Sequence, residues 1–282
     1  MASFTPERVV SLQPSITVTF DRLGLLDRIV ACTKWCVDVC PSLREHPKVI
    51  VADSWTAKSA EILAAKPDMV MASVPYQLDA VAEILETGIP FVGFAPHSLE
   101  DVFGDIHRIA ALMDVPDAGE KLIAEMQAEI AAVRTKSEGA VSAAQGSRPR
   151  VYCEEWGKPL IHSQGWVKEL VEAAGGEFVG QPGAHTDETA IRKADPDVIL
   201  AAWCGAGDRV PLEKIIPARG WETTRAAREG RIFCINDEYL NTPGPTLMQG
   251  LLAIAAALHP DSFPLSPGLR RINMEAPLEV KA

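Results

Sequence analysis

Cysteine offers this chain its widest range of chemistry, and three of the six cysteines fall in one ten-residue stretch, ACTKWCVDVC, at Cys32, Cys36 and Cys40. A thiolate is both a nucleophile and a soft metal ligand. Spacing of four would align the three on one helical face. The apolar run RIVAC, however, reads as a strand that carries Cys32, so on this reading the even spacing is coincidence. Cys153 in VYCEE and Cys234 in IFCIN also fall inside predicted strands. With Cys32 they read as small buried hydrophobes. Cys36 and Cys204 fall on strand-end loops of opposite halves, where they are the candidate soft donors for a metal, with His97 or His162 as helpers. No Cys-x2-Cys pair supports a preformed zinc site. Enzyme signatures are missing as well: there is no Gly-x-Ser-x-Gly, no phosphate loop and no His-Glu-x-x-His. Glu154 and Glu155 are adjacent in a strand and point to opposite faces, so they make no carboxylate dyad.

The elements that must position these groups follow from the pattern. RVVSLQPSITVTFDRLGLLDRIVACT reads as strand, helix from Pro14-Ser15 closed by Gly24, and strand. Helices then alternate with short, wholly apolar strands, which predicts parallel sheets covered on both faces. Residues from about 99 to 136 are helical with no strand between, and SEGAVSAAQGSRP reads as a loop. The first pattern then returns. AEILAAKPDMVMAS and TAIRKADPDVILAA are each a helix ending in Pro-Asp before an apolar strand, with Pro67 and Pro196 in matching places. This weak internal repeat predicts two Rossmann-like α/β lobes with parallel sheets bridged by a long helix, and a ligand cleft between the lobes. The expected divisions are 1–98 for the first lobe, 99–140 for the helical segment with the bridging helix, and 141–282 for the second lobe. The Pro-rich tail from about Asp261 is expected to lie along the surface.

In an open parallel sheet, ligands meet the residues beyond the carboxyl ends of the strands. In the first half these are Pro14 and Ser15, then Trp35 and Cys36, then Trp55, then Tyr76. In the second half they are Glu155 and Trp156, His162, Trp166, Trp203 and Cys204, and Tyr239 and Asn241. Five of the six tryptophans fall at such ends. Aromatic faces cover a large flat ligand at low entropic cost. A corrin or similar macrocycle suits them.

The same segments, with GGEFVG, resemble the class III substrate-binding proteins of ABC transporters, nearest the cobalamin-binding branch, which has iron–siderophore and haem receptors as relatives. The resemblance runs from about Arg8 to Pro260. It implies two α/β lobes bridged by one long helix with ligand held between them, and it makes Trp55, Trp156 and Trp166 cleft residues. In one subgroup without a leader, usually labelled cobalamin-binding, a Cys stands after the second strand, as Cys36 does, and a Cys-Gly follows a second-lobe strand, as Cys204-Gly205 does. Family members carry docking glutamates that pair with permease arginines. Here Leu78-Asp79 occupies the first such place and Thr189, beside Glu188, the second, which speaks against a permease partner.

Composition narrows the rest. The chain has 282 residues, 47% of them hydrophobic and 23% charged, with a formal net charge of −11. That balance suits a soluble globular protein and disfavours nucleic acid or an anionic membrane as partner. Residues 1–10 lack a basic start and apolar run, so the chain as written is expected to be cytoplasmic, or periplasmic if a leader was removed. Reduced thiols and a monomer are expected. The first reading is a non-enzymatic binding protein for a large, flat small molecule, with or without a metal, most of all cobalamin or another corrinoid, with no required cofactor. The alternatives are a receptor for an iron–siderophore or haem, and a cysteine-based metal-binding protein or enzyme on the same scaffold.

Overall fold

The computed structural model describes residues 4–46 and 48–273. The chain divides into two compact units, Met1–Met126 with Pro243–Pro245, and Gln127–Thr242 with Thr246–Ala282. The helical stretch around 99–140 is therefore shared between the units and is not a segment of its own.

In the first unit the elements run β1 (Val9–Ser11), α1 (Pro14–Arg22), β2 (Ile29–Cys32), α2 (Lys34–Val39), β3 (Val49–Ile50), α3 (Ser59–Ala64), β4 (Met69–Ser73), α4 (Leu78–Glu86), β5 (Phe91–Phe94) and α5 (Leu99–Leu112), and then the long α6 (Pro116–Ala143), in which the unit boundary falls. The sheet order is β3-β2-β1-β4-β5 and every pairing is parallel. β1 and β4 are wholly buried, as apolar strands covered on both faces must be. Pro14 opens α1 at its first position, and Ser98 and Asp101 close a capping box on α5. Gly119 lets α5 and α6 approach; a Cβ there would stand 2.4 Å from that of Ala110.

The second unit continues with β6 (Arg150–Gly157), β7 (Leu160–His162), α7 (Gly165–Ala173), β8 (Glu177–Phe178), β9 (His185–Thr186), α8 (Glu188–Ala194), β10 (Val198–Ala201), α9 (Leu212–Ala218), α10 (Arg225–Arg228), β11 (Ile232–Ile235), α11 (Glu238–Asn241), α12 (Leu247–Leu258) and β12 (Leu269–Arg271). Its sheet has the order β12-β11-β10-β6-β7-β9, with β8 beside β6. This sheet is mixed, which corrects the expectation of two parallel sheets: β7 returns antiparallel on β6, β9 on β7, and β12 on β11. The tail is corrected with it. Leu269 and Ile272 are buried where the chain pairs along β11, so this part of the tail completes the sheet.

The long helix also outruns its expected end near residue 136. Its buried stripe of Leu122, Met126, Ile130 and Val133 continues through Ser137 and Val141. Ser137 is polar and hides the period, yet it is fully buried. The internal repeat, by contrast, holds down to atoms. Asp68 accepts the Arg8 backbone N–H at 3.0 Å, and Asp197 accepts that of Arg150 at 2.8 Å. Lys66 and Asp195, each just before the proline, take left-handed φ values of 49° and 45°.

Candidate functional site

Each unit presents its own set of side chains at the carboxyl ends of its strands. In the first unit the loop after β3 is tied down by hydrogen bonds. Gln13 Nε2 donates to Ser54 Oγ at 2.7 Å, and Ser54 Oγ donates to the Pro75 carbonyl at 3.0 Å, joining the ends of β1, β3 and β4. Asp53 gathers four donors. Its Oδ1 accepts the backbone N–H groups of Trp55 and Thr56, both at 3.1 Å, and the Thr56 hydroxyl at 3.0 Å. Its Oδ2 accepts Trp35 Nε1–H at 3.1 Å. Both tryptophans keep surface, 38% for Trp35 and 44% for Trp55. The Lys34 ammonium stands 4.2 Å from the centroid of the Trp35 ring.

Other first-unit candidates turn inward. Pro14 is half-buried as the first residue of α1, and Ser15 is buried, with Gly244 packed against its carbonyl. Tyr76 directs its hydroxyl to the carbonyls of Ala72 and Phe94, 2.9 Å from each, and burial pushes its pKa up to about 12. Cys36 is a correction. It lies in the first turn of α2, fully buried, with its sulfur 3.3 Å from Thr33 Oγ1, so it presents nothing to a ligand or a metal from outside. The end of β2 and the start of α2 bring Cys32 and Cys36 close enough for each to act on the other's proton affinity. Burial raises the Cys36 thiol, yet hydrogen bonds from Cys32, Thr17 and Thr33 bring it down to about 7; its contact with Cys36, with burial next, holds Cys32 far above the ordinary thiol value.

In the second unit Trp156 is 42% exposed and donates its indole N–H to the Lys158 carbonyl at 2.9 Å. Glu155 is half-buried and accepts from Gln164 Nε2 at 2.8 Å; burial raises its pKa. Glu154 faces the other way, into the interior, as alternation requires. It accepts from the Tyr152 hydroxyl at 2.8 Å, from Trp203 Nε1 at 2.6 Å and from Arg219 Nη1 at 2.9 Å. Trp203 is thereby half-buried, laid flat on Gly157, where a Cβ would reach within 2.2 Å of the ring. The loop Cys204–Gly207 is pinned by Asp237, whose carboxylate accepts from the Gly205 and Gly207 N–H groups at 2.7 Å. Cys204 is exposed, with Asn241 Nδ2 3.3 Å from its sulfur. Desolvation, then Glu155 and Asp237, push its pKa up to about 12, so it stands as a thiol. Asn241 Oδ1 is buried without a partner among the described residues. Tyr239 is half-buried with its ring against Gly268.

Two second-unit candidates are core residues. Trp166 is 4% exposed and donates to the Leu240 carbonyl at 2.7 Å. His162 is buried edge-on to Tyr152 and against Gly180, and burial lowers its pKa. Among the described residues, no three His, Cys, Asp or Glu side chains stand close enough to hold a metal ion. Asp53, Gln164 and Arg219, which fix neighbouring side chains here, are not among the residues that strand-end placement picks out, whereas Asp237 stands directly after a strand. Asp53 carried a readable signal: Asp followed by Ser-Trp-Thr is an Asx-turn pattern. Arg219 carried none.

Two α/β units carry aromatic and polar side chains at their strand ends, with a long helix between them in sequence. The chain belongs to the periplasmic binding protein family, whose model matches residues 9–239. It is 25% identical over 264 residues to the cobalamin-binding protein of Halobacterium salinarum, covering 90% of this chain and 70% of that protein. It is also 25% identical over 269 residues to YvrC, an uncharacterized ABC transporter substrate-binding lipoprotein of Bacillus subtilis, covering 92% and 82%. Among solved structures, a periplasmic haem-binding protein of Pseudomonas aeruginosa superposes with a TM-score of 0.83 at 20% identity, over 96% of this chain and 100% of that one. The periplasmic vitamin B12-binding protein of Vibrio cholerae gives 0.70 at 20% identity, over 91% and 98%. These likenesses support the two-lobe, helix-linked fold that the sequence predicts.

Proposed function

We propose that this protein binds a corrinoid, cobalamin first among them, and releases it unchanged. The observation that carries the reading is the pair of exposed tryptophans at the strand ends of the first unit, Trp35 held on the Asp53 carboxylate by its indole N–H and Trp55 by its backbone N–H. Flat apolar faces of this kind suit a macrocycle, each worth up to about 2–3 kcal/mol on burial. In the second unit Trp156, Glu155, Cys204 and Asn241 are the accessible or half-accessible candidates. The unpartnered Asn241 Oδ1 is an acceptor for an amide N–H, a group corrin side chains carry in number. The long relative of Halobacterium named for cobalamin supports the ligand class. Ser15, Cys36, His162 and Trp166 are left out of the contact set because they are buried.

A second reading, haem or a ferric siderophore, is favoured by Lys34, whose ammonium beside Trp35 would meet a carboxylate on the ring of a haem. The family's description as periplasmic supports that compartment over the cytosol, and we take it. A permease is not part of the proposal: Asp79 and Glu188 stand exposed in the first turns of α4 and α8, but neither is a glutamate in the place the resemblance requires. Titration of the purified protein with cyanocobalamin and, separately, haemin tests the reading. Saturable tryptophan quenching by cyanocobalamin is expected. Quenching by haemin alone moves the assignment to the second reading, and no binding of either up to millimolar concentration overturns both.

A further inference from the structure

We infer that Asp53 is a positioning residue that sets the orientation of Trp35 for stacking on a flat ligand; the inference rests on the binding reading above. The two oxygens of Asp53 have separate tasks. Oδ1 builds the turn at Trp55 and Thr56, and Oδ2 holds only the Trp35 indole N–H. Lys34 then covers one face of the same ring at 4.2 Å. An exposed indole free to rotate would lose two χ angles of freedom on stacking. Here its edge is fixed by a charge-assisted hydrogen bond and one face by a cation, so the ring meets a ligand with its remaining face already set. Trp55 starts from the same carboxylate through its backbone, so one side chain fixes the ring of one tryptophan and the chain position of the other.

The division of labour makes a clean test. Asp53→Asn keeps an acceptor at Oδ1 for the turn and replaces the acceptor facing Trp35 by an NH2 group. Trp35→Phe removes the donor instead and leaves the turn intact. Three proteins, Asp53→Asn, Trp35→Phe and the double variant, are compared with wild type for melting temperature, for acrylamide quenching and for affinity toward cyanocobalamin and haemin. Expected is an Asp53→Asn protein that melts with wild type but quenches more readily in the part of the emission that Trp35→Phe removes. Its affinity for whichever probe the wild type binds falls about tenfold, and the double variant loses no more than the larger single loss, because the two changes break one bond. Unchanged affinity in Asp53→Asn, or losses that simply add, overturns the inference while the binding reading stands. If the wild type binds neither probe, the binding reading fails on its own, and unchanged acrylamide quenching in Asp53→Asn then overturns the ordering of Trp35 as well. If Asp53→Asn melts far below wild type, Trp35→Phe decides: an affinity equal to wild type overturns the inference, and a tenfold loss supports it.

Discussion

The two units share a corner and differ at the opposite end of their strands. At the amino ends, Asp68 and Asp197 take the same backbone donor from an arginine that opens a strand, and a left-handed residue precedes each proline. At the carboxyl ends the carboxylates are used in opposite ways. In the first unit Asp53 stays at the surface and holds an exposed indole. In the second, Glu154 is 1% exposed and its partner Arg219 8%, and together they draw Trp203 into the interior. Scaffold corners repeat because chain geometry demands it; strand ends diverge because one unit spends its acid on surface rings and the other on an internal ion pair.

The largest effect that separates the units should come from Arg219→Met. It leaves Glu154 buried without its cation, and a loss of about 3–5 kcal/mol in urea unfolding is expected. A loss below about 1 kcal/mol would mean the pair is not a structural anchor, and the contrast with Asp53 would fall. Next is Gly157→Ala, whose Cβ meets the Trp203 ring at 2.2 Å and must displace it. We expect about 1–3 kcal/mol and a shift in tryptophan emission. Asp68→Ala and Asp197→Ala should each cost about 1–2 kcal/mol, because each removes a carboxylate that holds two donors: the Glu7 and Arg8 N–H groups on Asp68, the Arg150 N–H and the Arg225 guanidinium on Asp197. Agreement of the two within about 0.5 kcal/mol sharpens the corner comparison, and an effect at only one of them breaks it.

The smallest effect concerns Asp105, on α5. Burial raises its pKa to about 6 although Arg108 stands 2.8 Å away. A carboxyl whose folded pKa is raised binds its proton more tightly when folded, so its contribution to stability is full below the unfolded value near 4 and is lost as pH rises to about 6. Asp105→Asn should therefore leave stability unchanged at pH 3.5 and raise it at pH 7, by less than about 1 kcal/mol because the exchange also gives up the ion pair with Arg108. Thermal melts at the two pH values check the sign; stabilisation at low pH alone would reverse it.

Much of this was legible in the chain. Alternation of helices with apolar strands gave the parallel sheet of the first unit, and the Pro67 and Pro196 match gave the repeat, because local pattern and turn chemistry carry that information. The antiparallel additions of the second unit were not legible. β7, β9 and β12 are two or three residues long, too short for a period. Strand-end placement identified Trp35, Trp55, Trp156 and Cys204 as accessible groups. It misplaced Cys36, Trp166 and His162, because being next to a strand end says nothing about which way a side chain turns. Cys36 turns inward as a short helix begins at Lys34.

The residues Pro243–Pro245 belong to the first unit although the chain around them belongs to the second. Gly244 rests on the Ser15 carbonyl, and Pro243 lines the small recess that also holds Asp105. A fragment ending at Met126 would thus be missing part of its own wall, with Ser15 and α1 laid open. Any attempt to express the amino-terminal half alone, or to swap it into a relative, must carry this late tripeptide as a graft.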